Sequence, residues 1–158
     1  MSSIKRLSIT DFLSEVPPEY SGFISQAHEL LTKCVYTSKV QSKKHGFSIQ
    51  YNSQNIKGRL ALQFFIRNNA LYLYLYNTFF YEFKNFLDNM PSVIIEECIK
   101  YRNCTLSCGP PPCTGTGRLE YTINGTPYCK CGVGRILFAV NDEVIGLLPV
   151  LRESANKT

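Results

Sequence analysis

Apolar and polar positions alternate most clearly in the middle of the chain. Leu71, Leu73 and Leu75 fall on one face of an extended segment, and Tyr72, Tyr74 and Tyr76 fall on the other. That is the period-2 pattern of a half-buried strand. Leu60, Leu62, Phe64 and Ile66 share a face in the same way, and residues 47–51 form a third strand-length run. Turn-forming residues at 55–58 and at Asn68-Asn69 separate the three, so they read as an antiparallel meander. On either side the period lengthens to that of a helix. Pro17-Pro18 opens a helix expected to run to about Tyr36, with Phe23, Ala27, Leu30, Leu31 and Cys34 as its buried stripe. The polar and basic tract 38–45 between that helix and the meander is expected to be a loop.

Beyond the meander, residues 78–89 look helical. Pro91 starts a further helix reaching Tyr101, with Val93, Ile94, Ile95, Cys98 and Ile99 apolar. Residues 119–123 and 126–130 flank Asn124-Gly125, the strongest short hairpin signal. Residues 135–140 read as another strand. Asn141 is placed to cap a last helix over 142–152, with the tail after Glu153 expected to fray. The expectation is a single α+β domain over residues 1–158 with a cysteine-rich segment at 102–134. It would hold a mainly antiparallel sheet of about six strands with helices packed chiefly on one face, and a cysteine-rich loop and hairpin.

Composition adds little to the fold and more to the compartment. A chain of 158 residues with 44% hydrophobic content can bury one core without a covalent staple. Its net charge of +5 permits contact with nucleic acid or anionic lipid without arguing for either. No stretch has signal-peptide character or the length to span a bilayer, so a cytoplasmic protein is expected. Thiols stay reduced there, and clustered cysteines then read as metal ligands or redox groups before structural disulfides.

Five of the seven cysteines cluster: Cys104, Cys108 and Cys113 before the hairpin, Cys129 and Cys131 at its far end. A hairpin returns the chain to its start, which brings the second group back beside the first, as in a zinc-binding module. The segment holds no histidine, so a zinc site there is all-sulfur and of the closed, structural type. The expected ligands are Cys104, Cys108, Cys113 and Cys131, with Cys129 as a spare. The spacing lacks the paired C-x2-C signature. Reduced, unliganded thiols and a redox-active disulfide therefore stand as alternatives. Cys34 and Cys98, on apolar helix faces, are expected to pack as small hydrophobes, with Cys98 a reserve ligand.

The run Thr122-Ile123-Asn124-Gly125-Thr126-Pro127-Tyr128-Cys129-Lys130-Cys131, followed by Ile136-Leu137-Phe138, resembles a family of small uncharacterised bacterial proteins. Their pattern is T-I-x-G-x-x-Y-x-K-C after a proline-started helix and spaced cysteines. The resemblance covers residues 91–140 and implies that Cys104, Cys108, Cys113 and Cys131 act as a unit. It implies no activity.

Tyr72, Tyr74 and Tyr76, with Lys57, Arg59 and Arg67 nearby, could stack bases and meet phosphates of a single strand. The plainer expectation is a packing face covered by a helix of this chain or by a second copy in a homo-oligomer. Neither His28 nor His45 falls in a catalytic motif, and no phosphate loop or nucleophile elbow is present. The sequence therefore reads as a small binding or accessory protein with a structural zinc-type site, more readily than as an enzyme. A thiol-redox or metal-handling role for the same cysteines is the first rival, and a single-stranded nucleic-acid-binding module the second.

Overall fold

The computed structural model describes residues 5–56, 59–104 and 118–157. In chain order, α1 (Ile9–Leu13) and a 3-10 turn at Pro18–Tyr20 lead into α2 (Ser21–Lys33). Four strands follow: β1 (Tyr36–Lys43), β2 (Gly46–Ser53), β3 (Leu60–Arg67) and β4 (Ala70–Tyr76). Then come α3 (Asn77–Glu82), a 3-10 segment at Lys84–Asn89, and α4 (Ser92–Lys100). The strands β5 (Arg118–Ile123), β6 (Thr126–Cys131) and β7 (Arg135–Ala139) precede the closing helices α5 (Asp142–Ile145) and α6 (Leu147–Asn156).

The fold is α+β, with an antiparallel five-stranded sheet in the order β1-β2-β3-β4-β7 and a separate β5-β6 hairpin. The meander forms as its alternation dictates. Leu71, Leu73 and Leu75 are buried on the inner face, where Phe64 pairs with Leu73 and Leu62 with Leu75. Asn68 and Asn69 both take positive φ, the requirement of a two-residue hairpin turn. α2 lays Phe23, Ile24, Ala27 and Leu31 into the same core, joined there by Phe79 and Phe80 of α3 and Leu147 and Leu151 of α6. No helix among the described residues is long and apolar enough to cross a membrane.

Four expectations need correction. The basic tract after α2 is strand β1, paired with β2 from Tyr36↔Ser53 to Lys43↔Gly46. It lies at the sheet edge, where polar residues and lysines are tolerated because one side of the strand pairs with no other strand among the described residues. For the same reason α2 stops at Lys33 and not near Tyr36. The helix expected over 78–89 tightens to 3-10 geometry after Glu82. The last helix breaks at Gly146, and its second half runs to Asn156. The expected cap does form: Val144 N–H donates to Asn141 Oδ1 at 3.0 Å.

Candidate functional site

The hairpin that carries the cysteines closes through Asn124 and Gly125, both at positive φ. Its register sets Cys129 opposite Glu120 and Cys131 opposite Arg118. Alternation then divides it into two faces. Leu119, Tyr121, Ile123 and Lys130 are buried beneath, while Cys129 and Cys131 lie half-exposed on the outer face with Arg118 and Glu120. Cys104, at the end of the stretch after α4, is drawn onto the same strand: its N–H donates to the Cys129 carbonyl at 2.8 Å. The Arg118 Nε–H donates to Cys129 Sγ at 3.0 Å, and its Nη2 reaches Glu120 at 3.0 Å. The bond to Cys129 and the sulfur's charge hold this guanidinium above its ordinary pKa.

Three of the five clustered cysteines thus meet at one end of the hairpin. Cys108 and Cys113, the other expected ligands, lie outside the described residues. No group of three or more His, Cys, Asp or Glu among the described residues is arranged to hold a metal ion. No disulfide joins the described cysteines. Cys129 and Cys131 are alternate residues of one strand, about 6.7 Å apart at Cα. Thiolates on tetrahedral zinc with 2.3 Å bonds stand only roughly 3.8 Å apart. Both can serve one ion only if their side chains lean together. Otherwise one stands aside, the spare role expected for Cys129.

The inner side of the hairpin is fixed by a polar chain that sequence reasoning did not find. The Tyr121 hydroxyl donates to Asn77 Oδ1 at 3.2 Å, which leaves the Cys98 thiol as donor to Tyr121 at 3.3 Å. Asn77 Nδ2 donates to the Cys131 carbonyl at 2.8 Å, and Thr78 Oγ1 to the Gly132 carbonyl at 3.3 Å. Burial pushes both the Cys98 thiol and the Tyr121 phenol up, so this buried chain stays neutral. Cys98 is a packed, hydrogen-bonded core residue, as expected of a small hydrophobe. Lys130 is fully buried and donates to the Tyr101 carbonyl. Burial lowers its pKa, opposed by the Cys98 and Cys129 sulfurs. Cys34, half-buried at the end of α2, has its thiol raised by burial.

On the tyrosine stripe the rings pack on one another. Phe65 lies between Tyr72 and Tyr74, at centroid distances of 5.3 Å and 5.0 Å and interplanar angles of 18° and 24°. Coplanar rings side by side cannot approach that closely, so these form an offset pile. The Arg135 guanidinium sits over Tyr74 at 4.2 Å, and its Nη1 donates to the Tyr76 hydroxyl at 3.3 Å. Tyr76 is buried, whereas Tyr72 and Tyr74 are half-buried. Of the cations expected nearby, Lys57 lies outside the described residues, Arg67 is exposed on this face, and Arg59 precedes β3. Phe65 and Arg135 were missed, although strand parity alone assigns both to the tyrosine side. Comparison with protein-family models, curated proteins and solved structures finds no match.

Proposed function

We propose that this chain is a small cytoplasmic binding protein in which a structural zinc-type ion pins the cysteine-bearing segment between α4 and β5 to the hairpin. The observation that carries this reading is the hydrogen bond from Cys104 to Cys129. It sets the first of the clustered cysteines beside the strand bearing the last two, across 25 residues of sequence. Cys104, Cys108, Cys113 and Cys131 are the proposed ligands, with Cys129 exchanging for one of them. Arg118 beside Cys129 offsets part of the negative charge that four thiolates leave on zinc. Its buried neighbours give the hairpin a fixed inner face, so a metal on the outer face would meet a preformed strand.

Elemental analysis of protein purified under reducing conditions, with thiols counted before and after chelation, tests this. About one zinc per chain is expected, with four thiols protected until the chelator is added. Metal-free protein with freely reacting thiols overturns the reading. Metal-free protein whose clustered cysteines form a disulfide on mild oxidation selects the thiol-redox role in its place.

A further inference from the structure

The strand side chains on the outer face of the five-stranded sheet carry charge of one sign. Register and parity assign to it Lys39 and Lys43 of β1, Arg67 of β3 and Arg135 of β7, together with Gln50, Gln63 and the aromatic pile. None of the five strands contains an Asp or Glu. The asymmetry runs wider. The 52 residues from Leu30 to Tyr81 hold seven Lys or Arg and no acid, whereas the rest of the chain sets ten Lys or Arg against twelve acids. The modest net charge of +5 therefore conceals a segregated distribution, with the basic part coinciding with the meander. A hollow of about 350 Å³ on this face is lined by Lys43, His45, Arg67 and Arg135 among others, and by no carboxylate. A larger hollow of about 1170 Å³ along the free edge of β1, lined by Lys5, Arg6, Lys39 and again Lys43, also lacks one.

We propose that this face binds single-stranded nucleic acid, with phosphates tracking the cations and a base stacking on the aromatic pile. The pile has two ends. Arg135 closes the Tyr74 end, while Phe65 is the only ring contact of Tyr72 among the described residues. A base on Tyr72 extends the stack at a half-buried ring, and the amides of Gln50 and Gln63 offer donors and acceptors to base edges. From β1 to β7 the face is about 19 Å wide at ordinary strand spacing, room for a short run of nucleotides. A duplex would bring phosphates to the cations but no base to the rings. A second copy meeting this face with its own same face would set like charges together. The inference adopts the binding role proposed above but uses neither the cysteines nor a metal, so the two readings fail separately.

Fluorescence anisotropy with a labelled mixed-sequence 12-nucleotide strand, as DNA and as RNA, tests it in protein before and after chelation. Binding is expected in both preparations, weakening from 50 to 200 mM salt by about 0.7 log units per log unit of salt for each phosphate contacted. The Lys39→Glu/Lys43→Glu pair lies at exposed edge positions. It is expected to weaken binding at least tenfold with an unchanged melting temperature. Tyr72→Leu keeps an apolar side chain in place and is expected to weaken single-strand binding several-fold. No binding at 50 mM salt overturns the proposal. So does duplex, polyphosphate or an acidic peptide binding as tightly as the single strand, or indifference to the charge reversals. Sedimentation showing a dimer whose formation excludes the oligonucleotide assigns the face to a second copy and overturns it as well.

Discussion

Glu82 shows how a single residue responds to its surroundings. One carboxylate oxygen accepts from Ser53 Oγ at 2.9 Å, and the other lies buried near the Tyr36 hydroxyl. Burial raises its pKa, against the pull of Ser53 and Tyr36. A carboxyl raised in the fold binds its proton more tightly folded than unfolded. Its contribution to stability is thus fullest below the unfolded value and is lost as pH rises through the folded one. Glu82→Gln removes that loss. Because the group is partly exposed, the gain at pH 7 should be under about 1 kcal/mol, at most 2–4 °C in melting temperature. It should shrink toward pH 4, and a lower melting temperature at pH 7 would show that Ser53 and Tyr36 already offset the burial. His28 works the other way. Burial lowers its pKa beside the Tyr51 hydroxyl, 2.9 Å from Nδ1. Stability should therefore fall as pH drops below about 6.5, the unfolded value. Neither group was legible as a titrating site, since sequence alone does not say that Glu82 and His28 sit half-buried under a sheet.

At the scale of elements, the strands with one apolar face were legible and the edge strand was not. β1 offers only two apolar side chains, Tyr36 and Val40, to the inner side, with Ser38 and Ser42 between and after them, while Thr37, Lys39, Gln41 and Lys43 alternate outward, so composition hides its period. The hairpin announced itself through Asn124-Gly125. Its separation from the main sheet did not, because its docking depends on Asn77, Thr78 and the turn at 132–134, far apart in sequence. Two glycines test that docking. At Gly134 a Cβ would stand 2.5 Å from Asn77 Nδ2 and 2.7 Å from the Tyr101 ring, so Gly134→Ala must displace the side chain that holds Cys131. A loss of about 1–3 kcal/mol is expected, the range for forced overpacking. At Gly125 a Cβ meets nothing within 4 Å, and only the φ of 80° resists substitution. Gly125→Ala should cost about 1 kcal/mol. Thermal denaturation of the two variants should rank Gly134→Ala the less stable, and equal losses would mean that the hairpin is loosely docked.

Across the whole molecule, the apolar core and the cysteine cluster occupy different places, and this decides what metal removal should do. The core runs through the inner sheet face, α2, α3, α4 and α6, and takes Tyr121 and Ile123 from the hairpin. Those two side chains, the Asn77 hydrogen bonds and the buried Lys130 anchor the hairpin from beneath, whereas Cys129 and Cys131 lie on its opposite face. The sequence made the cysteines visible as a group but not this division, which depends on which hairpin face meets α3. Chelation of a zinc-loaded protein should therefore leave the five-stranded sheet and the hairpin in place. It should free the Cys104 amide, whose bond to the Cys129 carbonyl is the one described main-chain tie between that cysteine and β6. Hydrogen exchange measured before and after chelator addition is expected to show faster exchange at Cys104. Amides of β3 and β4 and of the β5–β6 ladder should keep their protection, with far-ultraviolet dichroism nearly unchanged. Loss of protection throughout β3 and β4 would show that the metal organises the entire domain. A core of this extent, formed without any cysteine ligand, argues for the local outcome.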